Sequence, residues 1–415
     1  MSGSGPGSQI TQQVVGPCKH QRLANSGKRL SPTKLGYMPT DVSRPVSGQS
    51  NNMSNMSTNT SSNRPGTHQP NEAERLPAQP ASQTMLSSAD SYSAIPGITK
   101  TELPDVVDLF SGCGGLSMGF QNAGFKVLGA YDNWDCAVDT FNLNHQGAGQ
   151  PEARILDLSD VDATVDELSK YRQSGKQFPA IIGGPPCQDF SSAGKRVEGD
   201  RADLTEKFAL IIEEFEPEFF LMENVSIAAK AGAYQRAIQH MRSLKYAIEP
   251  VVLDASLMGV PQSRKRLIAF GSRDRSLVAR VLETWQDNLA AKPMTIREYV
   301  REVGQKELEF DHYYRHPRSY LRRGIFSVDE PSPTIRGVNR PIPKTYEKHP
   351  ADPVNPKTTS NLRALTTIER AQIQTFPADF KFSCARTNAE QLIGNAVPVR
   401  MGEYLAKGIS QGILR

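Results

Sequence analysis

One cysteine of the sequence stands where a nucleophile could act. Cys187 follows an apolar run, two glycines and two prolines, and it precedes the polar stretch QDFSSAGKR. Proline fixes φ and lacks a backbone donor, so the chain that enters this position is stiff. An isolated cysteine is most often a small, inert core residue. A thiol on a stiff loop at the end of a strand is instead suited to nucleophilic attack, and we therefore favour Cys187 as a nucleophile.

Two further stretches carry polar side chains that could protonate or hold a substrate. Glu223 and Asn224 follow an apolar strand directly, and partial burial there would favour a protonated carboxyl. A helix cap or surface acid is the alternative. Gln262, Arg264 and Arg266 alternate along an extended segment, so they project to one side of it. Two guanidinium groups facing one way could hold an anion or a carbonyl, and a solvated basic edge is about as plausible.

A glycine-rich turn and a later acid suggest a nucleotide-like cofactor. The stretch DLFSGCGGLSMGF follows an apolar run and opens a helix, and Gly112 and Gly114 would let a ligand approach the backbone closely. A purely structural turn is the alternative. Asp132 ends the next predicted strand, where an acid commonly accepts hydrogen bonds from ribose hydroxyls. Together, turn and acid favour an adenosine-containing cofactor.

The elements that would position these residues alternate along the chain. Apolar runs separated by helical periods predict βαβ units, a parallel sheet and a doubly wound α/β domain with helices between the strands. Ligands of such domains bind at the carboxyl ends of the strands, where the candidate residues fall. The predicted strands are residues 106–110, 126–132, 180–184, 219–225, 246–255 and 266–272.

Composition divides the chain into four segments. Residues 1–100 are rich in Ser, Asn, Pro and Gln, which predicts a disordered tail because little apolar surface is available for burial. A weak DNA-attracting arm is the functional alternative for its basic first part. Residues 101–275 hold the alternating elements, residues 276–358 are dense in Arg, Tyr, His and Pro and predict loops, and residues 359–415 return to helical patterns.

The totals exclude several classes of protein. The chain has 415 residues with a formal net charge of +4, which permits a nucleic-acid partner without requiring one. Its five cysteines form no CxxC pair and no Cys/His cluster, so neither a disulfide framework nor a metal site is expected. We find no secretory signal and no run near the ~18 apolar residues of a membrane span. These features predict a soluble protein of a reducing compartment.

Taken in order, the motifs resemble those of the cytosine-C5 DNA methyltransferases of bacterial restriction-modification systems. DLFSGCGGLSMGF is followed by GGPPCQDFS, ENV and QSRKR, then by a variable region, RALTTIERAQIQTFP and QLIGNAVPV. The resemblance covers about residues 104–275 and 360–410. It implies a Rossmann-like methyltransferase sheet completed by residues 359–415, with residues 276–358 as a small, loop-rich target-recognition domain.

The resemblance implies a covalent mechanism, since carbon 5 of cytosine is a poor nucleophile. A thiolate added at carbon 6 makes carbon 5 enamine-like. By resemblance Cys187 is that nucleophile, and Glu223 protonates ring nitrogen 3, which requires a raised carboxyl pKa. Arg266 and Arg264 would hold the cytosine carbonyl and the local phosphate, and Asn224 would support the loop that carries Cys187.

The methyl donor implied is S-adenosylmethionine, and no metal is needed. The family more often has Glu where Asp132 stands, and Asn133 replaces a bulkier residue that packs on the adenine, a place that Trp134 could take. Asp132 would bind the ribose hydroxyls and Asp157 the adenine amino group. The implied cofactor-binding residues are Phe110, Gly112, Gly114, Asp132, Asn133, Asp157, Pro185, Asn395 and Val397.

The implied partner is double-stranded DNA, from which the target cytosine must be flipped. Phosphate contacts are expected from a glycine-containing loop after Cys187, and Thr334 and Arg336 are expected to meet the flipped nucleotide and its surroundings. The loop residues are Lys195, Arg196 and Arg201. We expect a monomer in the bacterial cytoplasm, associated with the nucleoid and not with a membrane. A cognate restriction endonuclease could accompany it and act independently.

Three alternatives remain at this point. An RNA (tRNA) cytosine-C5 methyltransferase would share the catalytic set, but its typical Cys-Phe-Thr element is missing from this sequence. A dinucleotide-dependent oxidoreductase would use the glycine-rich turn and Asp132 and leave the other motifs unexplained. An inactive DNA-binding relative would be expected to have lost a catalytic residue, and each catalytic residue type is present.

Overall fold

A seven-stranded sheet forms the centre of the described part of the chain. The computed structural model describes residues 102–147, 149–186, 203–304, 308–319 and 321–415, so the predicted tail, residues 1–100, lies outside the described residues. The strands are β1 (Val106–Leu109), β2 (Val127–Asp132), β3 (Ala153–Ile155), β4 (Ala180–Gly183), β5 (Phe219–Val225), β6 (Ala247–Asp254), β7 (Gln262–Ser263), β8 (Lys265–Ser272), β9 (His312–Tyr314), β10 (Ile325–Ser327) and β11 (Ser332–Pro333). The central sheet has the order β3-β2-β1-β4-β5-β8-β6.

Helices cover both faces of this sheet, which confirms the doubly wound α/β prediction. They are α1 (Gly115–Asn122), α2 (Asp135–Asn144), α3 (Val161–Leu168), α4 (Asp203–Phe215), α5 (Gly232–Ser243), α6 (Arg275–Asp287), α7 (Ile296–Glu302), α8 (Thr367–Ile373), α9 (Arg386–Asn395) and α10 (Val399–Leu414). Successive strand residues point to opposite faces. Phe219 accordingly joins the core beneath α1, α6 and α10, and Phe220 joins the core beneath α4 and α5.

The prediction of a parallel sheet is wrong at one strand. Strands β1 to β5 pair in parallel, whereas β8 runs antiparallel to both β5 and β6. A parallel pair needs a long crossover, usually a helix, whereas an antiparallel pair can be joined by a short connection. Only residues 255–264 separate β6 from β8, too few for a crossover, so the chain returns beside β6 in the opposite direction.

The segment predicted as loop-rich, residues 276–358, departs from that prediction at its start. It begins within α6, whose buried Leu277, Val281 and Trp285 pack on the central sheet and on α10. Trp285 donates its indole hydrogen bond to the Leu405 carbonyl at 3.0 Å. The amphipathic face of this helix therefore belongs to the same core as the sheet.

Beyond α6 the chain forms short elements around a third core. β9 and β10 pair antiparallel, β11 pairs in parallel with β7, and Tyr313, Phe326 and Phe376 are buried between them and α8. Helix α9, residues Arg386–Asn395, precedes the long C-terminal helix α10. Every described residue falls in one compact unit, residues 90–415. No helix of this described part is long and apolar enough to cross a membrane.

Candidate active site

The end of β4 meets the end of β5, and this places the proline turn beside Glu223. The two strands are parallel neighbours, with Gly183 opposite Met222. A Cβ added to Gly184 would lie 3.1 Å from Glu223 Oε2, so the carboxylate rests directly against the turn. Asn224 points its amide nitrogen at the Pro185 carbonyl, 3.4 Å away. The proline turn, residues 184–186, therefore lies alongside Glu223. Cys187, Lys195, Arg196 and Arg201 lie outside the described residues.

Glu223 is paired with an arginine from the antiparallel neighbour strand. Arg266 Nε lies 2.7 Å from Glu223 Oε1, and the two side chains are only 11% and 12% exposed. Burial lowers the pKa of the Arg266 guanidinium, and the neighbouring Glu223 opposes that shift. Another of its nitrogens, Nη1, donates to the Lys265 carbonyl at 2.8 Å. This arrangement gives a fixed carboxylate at the mouth of the proline turn.

Arg264 is a buried arginine that contacts backbone carbonyls. Its side chain is 2% exposed, and its terminal nitrogens donate to the carbonyls of Ile335, Gly394 and Ala396 at 3.2, 3.2 and 3.0 Å. Burial lowers the pKa of this guanidinium well below its ordinary value. Arg264 thus supports the backbone around the site, a role that the sequence analysis did not assign, and its contact with base or phosphate stays a prediction.

The glycine-rich turn lies at the end of β1, next to the end of β2. Phe110, Gly112 and Gly114 all have positive φ, of 59°, 54° and 91°. Asp132 accepts hydrogen bonds from the backbone of Gly112 at 2.9 Å and of Trp134 at 3.0 Å, one on each carboxylate oxygen. Burial raises the pKa of Asp132, while these donors lower it. Asp132 thus ties the turn to the start of α2, a role that the sequence analysis did not assign.

The surroundings of the turn fit an adenosine-containing methyl donor. A Cβ added to Gly112 would meet nothing within 4 Å, so the backbone there borders open space. A carboxylate can accept about four hydrogen bonds, and backbone groups of Gly112, Trp134 and Asn133 donate three to Asp132, so a ribose hydroxyl can still donate to it. Asn133 and Asp157 are exposed beyond the ends of β2 and β3, and hydrogen bonds from Ser159 lower the pKa of Asp157. The residues present are compatible with the predicted cofactor site.

Comparison with known proteins decides the family. Residues 105–411 match the sequence model of the C-5 cytosine-specific DNA methylases. The type II methyltransferase M.HgiDI of Herpetosiphon aurantiacus is 48% identical over 304 residues, covering 73% of this chain and 93% of that protein. The chain belongs to the C-5 cytosine-specific DNA methylase family. The methylase is therefore a DNA cytosine-5-methyltransferase.

Further relatives agree in extent and in fold. M.HindV of Haemophilus influenzae, also a type II methyltransferase, is 47% identical to the methylase over 304 residues, covering 73% of this chain and 95% of that protein. Among solved structures, the methyltransferase EhMeth of Entamoeba histolytica superposes with a TM-score of 0.55 at 16% identity, covering 75% of this chain and 99% of that one. At that identity the superposition supports the fold alone.

A C-terminal segment of the methylase closes over the glycine-rich turn. The Val397 carbonyl packs so tightly on Gly115 that a Cβ there would lie under 3.0 Å from it. Asn395 is exposed, and its side-chain oxygen accepts a hydrogen bond from Gln391 at 2.9 Å. The structure thus places Val397 against the start of α1 at the turn, with Asn395 two positions earlier in the chain.

Replacing Gly115 by Ala should loosen this closure. Because the added methyl would overlap a backbone carbonyl, the segment around Val397 must move, at a cost of roughly 1–3 kcal/mol. We expect a lower melting temperature and a raised KM for the methyl donor, measured by thermal denaturation and by initial rates. Gln411→Ala, which changes an exposed side chain on α10, is the control and should leave both quantities unchanged. An unchanged KM in Gly115→Ala would contradict the packing assignment.

A buried carboxyl under the turn should make the stability of the methylase depend on pH. Burial raises the pKa of Asp108 to about 7, opposed by its hydrogen bond from Ser117 (2.6 Å) and reinforced by the charge of Asp132. The folded state therefore holds this proton more tightly than the unfolded state, and its contribution is lost as pH rises from about 4 towards 7.

The corresponding test compares Asp108→Asn with the wild type. Between pH 5 and pH 8 the wild type should lose roughly 2–3 kcal/mol of unfolding free energy through this group. Asparagine resembles the neutral acid and has no proton to lose, so the variant should lack this component. Urea denaturation at both pH values measures it, with the exposed Asp139→Asn as control. Equal pH slopes in all three proteins would show that Asp108 ionises normally.

Two half-buried arginines, Arg315 and Arg336, lie next to Thr334. Thr334 donates its hydroxyl hydrogen bond to the Ser263 carbonyl at 2.9 Å, and Arg315 donates to the Thr334 carbonyl at 2.8 Å. Burial, and then the charges of neighbouring arginines including Arg336, lowers the pKa of Arg315 to about 10. Arg336 donates to the His316 carbonyl. The positive charges of Arg315 and Arg336 therefore lie next to Thr334. A site that binds a polyanion requires such charges.

Two buried glutamines of the methylase were missed as site residues. Gln374 and Gln262 are fully buried and hydrogen-bonded to each other at 2.7 Å, although 112 positions separate them. Gln262 was noted only for its spacing from Arg264, and Gln374 lies within the motif QTFP without any local signal of its partner. Within the described residues, no group of three or more His, Cys, Asp or Glu side chains could hold a metal ion.

Proposed function

We propose that the methylase transfers a methyl group to carbon 5 of a flipped-out cytosine in a short, specific duplex sequence, through a covalent adduct of Cys187 at carbon 6. The observation that carries this proposal is the contact between the Glu223 carboxylate and the Gly184 turn, with Arg266 paired to the same carboxylate. A carboxyl, a guanidinium and the approach to a cysteine therefore converge on one strand edge.

In this proposal the Cys187 thiolate adds to carbon 6 and pushes electrons into the cytosine ring. The ring accommodates them because its nitrogen 3 receives a proton from Glu223. Arg266 orients the carboxyl through the 2.7 Å contact, and its remaining donors are available to the cytosine carbonyl. Asn224 holds the proline turn through the Pro185 carbonyl. It would thereby orient the Cys187 thiol towards the cytosine. Once carbon 5 is methylated, a base removes the carbon 5 proton and the thiolate leaves as the carbon 5–carbon 6 double bond re-forms. The proton on ring nitrogen 3 returns to Glu223.

S-adenosylmethionine, when bound, supplies an electrophilic methyl group for carbon 5. The residues that would hold it surround the glycine-rich turn: Phe110, Gly112 and Gly114 line the ligand, Asp132 accepts the ribose hydroxyls and Asp157 the adenine amino group. Trp134, at the start of α2, is half-buried and could pack on the adenine where Asn133 is too small. Pro185, Asn395 and Val397 would complete the walls of the site.

The DNA contacts complete the proposal. Residues 276–358 would supply the base readout, with Thr334 and Arg336 beside the flipped nucleotide, and Lys195, Arg196 and Arg201 would meet phosphates. Because M.HgiDI and M.HindV are type II methyltransferases, we assign the methylase to a restriction-modification system. It would act as a monomer, with a cognate endonuclease acting independently on the same sequence.

Bisulfite sequencing tests this function directly. The full chain is expressed in a bacterial host that lacks cytosine methylation of its own, with Cys187→Ala as the control. Protected cytosines in one repeated short motif, absent from the control, are the expected result and also give the recognised sequence. Unprotected genomic DNA together with methylated tRNA would contradict the DNA specificity and support the RNA alternative.

A further inference from the structure

A buried polar cluster joins the two halves of the active site. We define this cluster as Gln262, Arg264 and Gln374, which are 0%, 2% and 0% exposed. Gln262 donates its amide hydrogen bond to Gln374 Oε1 at 2.7 Å. Leaving any of these polar groups buried without a partner would cost about 1–3 kcal/mol, so the cluster favours one arrangement of the backbone around it.

On one side the cluster holds the segment that carries Thr334 and Arg336. Gln262 Oε1 accepts the backbone hydrogen bond of Ile335 at 2.7 Å, and Arg264 donates to the carbonyl of the same residue at 3.2 Å. Both backbone groups of Ile335 are therefore fixed between Thr334 and Arg336. Thr334 and Arg336, which are proposed to contact the flipped nucleotide, therefore flank a residue that the cluster holds in place.

On the other side the cluster holds the segment that closes the cofactor site. Gln374 donates to the carbonyls of Ile393 and Ala396, and Arg264 donates to Gly394 and Ala396. The next carbonyl, that of Val397, packs on the start of α1 at the glycine-rich turn. The backbone amide of Val399 also donates to the Gln374 carbonyl at 3.1 Å.

The segment that carries Thr334 and Arg336 and the segment of residues 393–397 also contact each other directly, backbone against backbone. A Cβ added to Gly394 would lie under 3.0 Å from the backbone of Arg336 and Gly337. Close backbone contact leaves little freedom for one segment to shift alone, since a packed interface is not continuously deformable. A displacement of the Thr334 segment would therefore disturb the 393–397 segment and the cluster together.

We propose that Gln374 is a positioning residue that couples DNA binding to binding of the methyl donor. The inference rests on the proposed function, because it takes Thr334 and Arg336 as the DNA side and Asn395 and Val397 as the cofactor side. Either ligand would order its own segment, and the cluster would pass part of that ordering to the other segment. Linkage requires the coupling to be reciprocal.

The test measures DNA affinity with and without a bound cofactor product. A fluorescent duplex carrying the site found by bisulfite sequencing is titrated with the full chain at fixed salt, in the absence and presence of saturating S-adenosylhomocysteine. We expect the product to tighten DNA binding of the wild type at least about fivefold. In Gln374→Leu, which removes the donor to Ile393 and Ala396, the ratio should approach one. Each ligand alone should still bind the variant within about threefold of the wild type.

Matched variants separate coupling from loss of the fold. Gln372→Leu changes a half-buried glutamine in the last turn of α8, two residues before Gln374, and should keep the wild-type ratio. If Gln374→Leu fails to fold by thermal denaturation, Gln374→Asn replaces it, because Asn keeps an amide that is too short to reach both sides. A wild-type ratio of one in an enzyme that methylates DNA would overturn the coupling while leaving the proposed function intact. If Gln374→Leu bound DNA and S-adenosylhomocysteine separately more weakly but kept the wild-type ratio of DNA affinities, Gln374 would have a purely structural role.

Discussion

Replacement of Cys187 by alanine should reduce methyl transfer by at least about 10⁴-fold, the largest effect we expect from a single substitution. Without a thiolate adduct at carbon 6, carbon 5 of cytosine stays too weakly nucleophilic to accept a methyl group. Transfer of tritiated methyl groups to duplex DNA measures the rate. Trapping the wild type on a duplex with 5-fluorocytosine at the target should give a denaturation-resistant complex, and Cys187→Ala should give none.

Cys384→Ala is the matched control for this experiment. Cys384 is a free, half-buried cysteine in contact with Cys136, and no step of the mechanism uses it. This variant should retain activity within a few-fold of the wild type. Cys187→Gly should still bind and flip the target, as reported by 2-aminopurine fluorescence next to or at the target base. Methylation by Cys187→Ala at a rate near that of the wild type would refute the covalent mechanism.

The strands and most helices of this fold could be predicted because their residues repeat with a clear period. The six predicted strands all form. The buried β4 reads as a continuous apolar run because both of its faces are covered, and β1 departs from such a run only at the buried Asp108. The direction of β8 could not be predicted in this way, since parallel and antiparallel strands share the same period of two. Direction depends on the length of the connection, which patterns of strand residues do not contain.

The site could be predicted where its residues contact neighbours that are close in the sequence or in adjacent strands. It could not be predicted where they contact residues far away in the sequence. Asn224 lies beside the turn that it was expected to support, and Asp132 lies at the predicted strand end. Spacing placed Gln262, Arg264 and Arg266 on one side of a strand, but their different depths were not visible. Arg266 pairs with Glu223 of the neighbouring strand, whereas Arg264 reaches carbonyls about 70 to 130 positions away in the sequence.

The cofactor and recognition sides show the same limit. The motif QLIGNAVPV pointed to Asn395 and Val397, yet the contacts that fix this segment come from backbone carbonyls, which every residue possesses. A sequence cannot show which carbonyls lack an intrahelical partner until the end of α9 is located. Gln374 supplies two of the missing donors. Its importance therefore emerges only from the folded arrangement.

Replacement of Glu223 by glutamine should lower turnover by about 10²–10⁴-fold with DNA binding retained. A glutamine amide has the shape of the carboxyl but no acidic proton for ring nitrogen 3, so addition of the thiolate would lose its driving proton transfer. The same change leaves the Arg266 charge, on a side chain only 11% exposed, facing a neutral group. Removing one partner of a buried pair typically costs about 3–5 kcal/mol, so the variant should also unfold at lower urea concentration.

A second variant separates the catalytic loss from the stability loss. Glu223→Gln/Arg266→Gln removes the unpaired charge and should recover much of the lost unfolding free energy, since replacing both partners avoids a buried lone ion. It should stay inactive, because neither the proton donor nor the guanidinium returns. Glu249→Gln, at an exposed position on β6, is the control and should match the wild type in both measurements. Recovery of activity together with stability in the double variant would mean that Glu223 serves the fold and that another group protonates the base.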